Sequence, residues 1–130
     1  MNKLSLDRFP IHLGLGARAV PQPEFTGRDW YDAYVERHAA DGDEGRIVQL
    51  YSLSENWTSW ERHPAGDEAV ICTAGEITLL QELPDGTRKT TLRPGEYAVN
   101  PRGVWHTADV AGPATALFIT AGVGTEHRPR

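Results

Sequence analysis

Trp60-Glu61-Arg62-His63-Pro64-Ala65-Gly66-Asp67-Glu68 and the later run Gly95-Glu96-Tyr97-Ala98-Val99-Asn100-Pro101-Arg102-Gly103-Val104-Trp105-His106 decide how this chain is read. Glu61 and His63 stand two apart in a β-rich run, so on a strand they point the same way. Pro64-Ala65-Gly66 turns the chain, and Glu68 opens the next run beside His63. His106 lies on a later run, bracketed by Gly103 and Trp105. If these strands close into a barrel, two imidazoles and two carboxylates meet inside it. That donor set suits a divalent first-row metal. Singly, such residues mean little, because a strand His is usually hydrogen-bonded or exposed and a Glu opening a strand is usually solvated. The spacing carries the weight.

Working outward, the runs are Arg46–Ser54, Trp57–His63, Glu68–Ala74, Glu76–Leu83, Thr87–Leu92, Tyr97–Asn100, Val104–Val110 and Ala114–Ala121. Pro84-Asp85-Gly86 marks a hairpin, and other glycines punctuate most of the remaining junctions. Eight short strands with little helix between them predict an all-β, antiparallel sandwich or barrel. No second helix exists to build parallel βαβ units. Residues 1–45 read as an N-terminal arm packing on the barrel, with one short strand at Ile11–Leu13. A helix is expected over residues 29–40, capped by Asp29, packed through Trp30, Tyr34, Val35 and His38, and stopped by Asp41-Gly42. Residues 46–130 form the barrel, in one domain overall.

The two quoted segments resemble the signature motifs of the cupin superfamily. The first motif reads Gly-x5-His-x-His-x3,4-Glu-x6-Gly; here it is Glu61-x-His63-x4-Glu68-x6-Gly75. The second reads Gly-x5-Pro-x-Gly-x2-His-x3-Asn, and Gly95, Pro101, Gly103 and His106 fall in register with it. Three positions depart: Glu61 replaces the first His, Val110 replaces the Asn, and Glu55 stands at the initial Gly. The resemblance covers residues 46–121 and implies a jelly-roll β-barrel with a metal inside. Carried over position by position, it implies His63, Glu68 and His106 as ligands, with Glu61 as the fourth. Two carboxylates favour Mn(II) or Fe(II), while Ni and Zn stay open.

Composition bounds the rest. The chain has 130 residues, 39% of them hydrophobic, which is material for one core. Eighteen acidic residues against 13 basic give a net charge of −5, with no basic footprint for nucleic acid. The longest uncharged run, Val110–Thr125, holds Pro113, Gly112, Gly122 and Gly124 and cannot span a membrane. The single Cys72 excludes an intrachain disulfide, and Asp7, Arg8 and Pro10 break any signal-peptide core, so a cytoplasmic location is expected. Cys72 itself reads as a small buried hydrophobe. No phosphate loop, Gly-x-Ser-x-Gly elbow or Cys-x-x-Cys pair is present.

The expectation is therefore a small metal-binding cupin acting on a small organic metabolite, by dioxygenase- or isomerase-type chemistry. Glu61 is the candidate general base if it is not a ligand. The competing reading is a non-catalytic binding or sensor module, with or without metal. By strand parity Trp60 and Trp105 point away from the site, and large apolar residues on the outside of a barrel favour a homodimer. The tail around His127 and Arg128 reads as frayed and solvated, and His12 and His38 have no partner spacing.

Overall fold

Short runs punctuated by turn residues cannot each bury a face alone, so they pair into sheets that stack. The computed structural model describes residues 3–130, and its strands form two antiparallel sheets. The larger sheet runs, in spatial order, β2 (Arg18–Pro21), β1 (Ile11–Gly14), β3 (Arg46–Leu53), β10 (Ala114–Thr120), β5 (Glu68–Ala74) and β8 (Tyr97–Asn100). The smaller runs β11 (Glu126–Pro129), β4 (Ser59–Arg62), β9 (His106–Asp109), β6 (Ile77–Leu83) and β7 (Gly86–Leu92). This is the all-β jelly-roll architecture expected from the sequence.

Alternation along each strand places the core. Val70 and Cys72 on β5, Ile77 and Leu79 on β6, Leu92, Ala108 and Ala116 are all at most 2% exposed. Each large aliphatic among them contributes about 1.5–3 kcal/mol by leaving water. Pro84-Asp85 joins β6 to β7, with Leu83 paired to Gly86. Gly75 has φ +70°, and a Cβ there would lie 2.4 Å from the Pro113 carbonyl oxygen, so only glycine fits.

The structure differs from the sequence reading in four places. The arm contributes a second strand, β2, and its β1 pairs with β3, so both join the larger sheet. The expected helix over 29–40 ends at Arg37: α1 spans Trp30–Arg37, and residues Ala39–Glu44 form a 3-10 turn broken at Gly42. Asp29 makes no side-chain cap, and Val35 is exposed while Trp30 and Tyr34 pack on Ile47. The tail is a strand, β11, in full register with β4. Trp60 and Trp105 do lie outward, but this chain's own cations cover them: Arg62 and Arg128 sit 4.6 and 4.5 Å from the Trp105 ring centre. Among the described residues no helix is long and apolar enough to cross a membrane.

Candidate metal centre

Strand register assembles the site from two facing rows. On the smaller sheet Glu61 is paired with His106, and His106 with Gln81. On the other side Glu61 is paired with His127. On the larger sheet Thr120 is paired with Glu68, and Glu68 with Asn100. His63 follows β4 directly and closes the gap between the rows. One potential ligand atom from each of Glu61, His63, Glu68 and His106 lies within 4.8 Å of all the others. His63, Glu68 and His106 are buried, and Glu61 is the most exposed of the four, its side chain at 22%.

The Nε2 of His63 lies 3.0 Å from Glu61 Oε1 and 3.1 Å from Glu68 Oε2. The Nε2 of His106 lies 3.3 Å from Glu68 Oε1 and 3.7 Å from Glu61 Oε1. Yet among the described residues these two nitrogens are the only buried side-chain N or O atoms without a hydrogen-bond partner. The four groups point at a common centre and not along one another's lone pairs. Donor atoms bonded to one ion at about 2.1 Å lie roughly 3.0 Å apart across a right angle and roughly 3.4 Å across a tetrahedral one. The observed separations fit a cation between them.

The surroundings fix each donor. His63 Nδ1 is 2.8 Å from Thr125 Oγ1, whose hydroxyl donates to the Gly122 carbonyl. The imidazole must therefore donate at Nδ1, which leaves Nε2 as the nitrogen that can hold an ion once its own proton is displaced. His106 Nδ1 donates to the Val104 carbonyl at 3.2 Å, with the same result. Glu68 accepts from Asn100 Nδ2 at 3.0 Å and from the Thr120 hydroxyl at 2.6 Å, and Gln81 Nε2 donates to Asn100 Oδ1. Glu61 Oε2 accepts from His127 Nε2 at 2.9 Å. Such outer contacts hold ligands in orientation and tune them.

Charge balance makes the same point. Burial pushes the Glu61 carboxyl up, but the imidazoles of His106 and His63 outweigh it and hold it down at about 2. Burial likewise opposes ionisation of Glu68, and the same imidazoles hold it well below the carboxylate range. Burial lowers both imidazoles, but Glu61 and Glu68 win and carry His63 up to about 10 and His106 to about 9. One buried and one partly buried carboxylate side by side demand positive charge, which protons or a metal ion can supply.

A second cluster lies in the arm, where the sequence showed none. His12, 1% exposed, places Nδ1 2.6 Å from the Tyr34 hydroxyl and donates from Nε2 to Asp41 Oδ2 at 2.6 Å. Arg18 donates to the same carboxylate, and His38 stacks on His12 with ring centres 3.7 Å apart. Asp41 is thus a buried anchor and not a helix stop. Sequence reasoning also missed Asn100, Thr120 and Thr125. The one local signal was parity, which puts Asn100 on the face of Ala98, opposite Val99.

A family model described as a cupin domain matches residues 50–121, more than half of the chain. No curated protein matches the sequence significantly. Among solved structures, oxalate oxidase in complex with glycolate is 18% identical, with a TM-score of 0.58 over 71% of this chain and 50% of that one. A cupin-2 domain containing protein from Shewanella frigidimarina is 24% identical, with a TM-score of 0.50 over 65% and 71%. A hydroquinone 1,2-dioxygenase in complex with Cd2+ and 4-hydroxybenzonitrile is 18% identical, with a TM-score of 0.50 over 58% and 56%. At these identities the likeness is one of fold, and this chain spans only about half the length of the oxidase and the dioxygenase chains.

Proposed function

The chain belongs to the cupin domain family, and from that premise we propose that it binds one divalent first-row metal ion through Glu61, His63, Glu68 and His106 and transforms a small organic molecule there. The observation that carries this reading is the pair of bare, buried Nε2 atoms aimed between two carboxylates. Two imidazoles and two carboxylates favour Mn(II) or Fe(II) over softer-ligand ions, with Ni(II) and Zn(II) as further occupants. When bound, such an ion supplies Lewis-acid or redox chemistry of the dioxygenase or isomerase type. Thr125, Asn100 and Thr120 hold His63 and Glu68 still. Glu61 is the most exposed of the four. When Glu61 stays outside the coordination sphere, it is the general base, within reach of a substrate proton directly or through one water.

Oxygen consumption and product formation by protein loaded with Mn(II) or Fe(II), over a panel of small acids, ketones and catechols, test this. Turnover of at least one compound, reduced at least tenfold in Glu61→Gln, supports the enzyme. Tight binding of a panel member with no change in it would instead support the competing binding module.

The outer face of the larger sheet supports a second copy of this chain as partner. Ile11, Leu13, Val48, Leu50, Ile71, Leu117, Ile119, Tyr97 and Val99 point outward there and none is buried. Arg46 is the one charged side chain on that face of the six strands. At about 4.8 Å between strands and about 3.3 Å per residue, the face offers roughly 500 Å². A symmetric pair would bury roughly 1,000 Å², at the lower edge of specific interfaces. Analytical ultracentrifugation should find a dimer that Leu117→Lys converts to monomer; a wild type monomeric at high micromolar concentration would refute it.

A further inference from the structure

Residues 122–129 lie beyond the segment that the family model matches, yet two of their side chains touch the donor cluster. Thr125 accepts the Nδ1 proton of His63, and His127 donates to Glu61 Oε2. The His127 contact follows from β11 lying antiparallel on β4, with His127 directly opposite Glu61, and Thr125 stands in the turn that leads into β11. Without β11, β4 would be a sheet edge and Glu61 would have no donor on its outer side.

We propose that this C-terminal strand and the turn leading into it are a built-in clasp for the metal donors, with His127 the positioning residue of Glu61 and Thr125 that of His63. The inference rests on the metal-binding reading above. The chain carries a carboxylate where the family pattern has an imidazole, and a glutamate side chain swings more freely than a ring. His127 removes that freedom. It holds Oε2, so that Oε1 faces the Nε2 atoms of His63 and His106 at 3.0 and 3.7 Å. The pair Glu61–His127 thereby does across two strands what one side chain does elsewhere. His127 is itself outside the donor cluster and its side chain is 45% exposed, which suits an outer support and not a fifth ligand. Thr125 acts differently. Its hydroxyl proton is committed to the Gly122 carbonyl, so Oγ1 can only accept, and this commits Nδ1 of His63 to donating and leaves Nε2 as the atom that faces the ion.

The test is a calorimetric titration of Mn(II), and separately Zn(II), into metal-stripped full-length protein. The variants are His127→Ala, His127→Gln and Thr125→Val. Loss of either support should weaken both ions about 10–100-fold, while the metal-free melting temperature of His127→Ala changes little, because the His127 side chain is 45% exposed. Glutamine also donates from a terminal nitrogen, so His127→Gln should recover most of the affinity that His127→Ala loses. A strand with a merely structural role would not distinguish those two. Wild-type binding with His127→Ala within twofold of it, or with His127→Gln no better than His127→Ala, overturns the clasp alone. A wild type that takes up neither ion overturns the metal reading and the clasp together.

Discussion

The two histidine–carboxylate clusters in this molecule are built from similar parts and end in opposite states. In the arm, His12 is held at both ring nitrogens, by Tyr34 and Asp41, and Arg18 balances the carboxylate. In the barrel, His63 and His106 are each held at Nδ1 only, and both Nε2 atoms are left facing two carboxylates without a hydrogen bond. A closed network stabilises a fold, because every polar group taken from water finds a partner. An open one costs free energy unless something absent completes it. That difference separates a structural polar cluster from a candidate binding site, where residue type alone does not.

The comparison can be broken by removing one imidazole from each cluster. His12→Ala should give the largest effect on metal-free stability, a loss of about 3 kcal/mol from the cavity and the orphaned Tyr34 hydroxyl. It should leave metal affinity as in the wild type, measured by denaturant unfolding and metal titration on the same sample. An equal loss of metal binding would mean that the arm cluster is part of the site. Next, an ion supplied at a hundred times its dissociation constant should stabilise the wild type by about 2.7 kcal/mol. His106→Ala should abolish that gain, and a gain that survives would place the ion elsewhere.

A smaller effect, spread over pH, sharpens the same contrast. With His63 raised to about 10 and His106 to about 9, their contribution to the metal-stripped protein is full below pH 6.5 and is lost as pH rises through those values. Glu61, held at about 2, contributes fully above pH 4.5 and loses that as pH falls. Stability from the barrel site should therefore peak between about pH 4.5 and 6.5 and decline on both sides. Asp41, whose carboxyl is lowered first by its bond to His12 and then by Arg18, against an opposing burial, loses its contribution only on the acid side. Metal should remove the alkaline decline, since the ion replaces the protons. Unfolding midpoints that stay flat from pH 6 to 10 without metal would contradict this.

Three of the candidate donors were legible because their placement is local, and His106 because it falls in register with the second motif. Strand parity puts Glu61 and His63 on one face, and the turn at Pro64-Ala65-Gly66 brings Glu68 back beside them. Trp30 and Tyr34 were legible as a helix face for the same reason. What supports the donors is not local. Thr125 and His127 reach the site only through the pairing of β11 with β4, more than 60 residues apart in the chain, and no spacing encodes that register. Glu126-His127-Arg128 looks like a solvated tail because its charges are met across the sheet, Glu126 by Arg62 and Arg128 by Glu82. His12 and Asp41 stay silent likewise, since Asp41-Gly42 is a strong turn signal and its burial depends on β1 folding under the 3-10 turn.

The most direct measurement of the central claim is the metal stoichiometry of metal-stripped wild-type protein re-exposed to Mn(II), Fe(II), Ni(II) and Zn(II) in turn, beside a His63→Ala/His106→Ala variant. One tightly held ion per chain in the wild type and none in the variant is the predicted result. A wild type that retains none of the four, or a variant that retains as much as the wild type, would contradict the account.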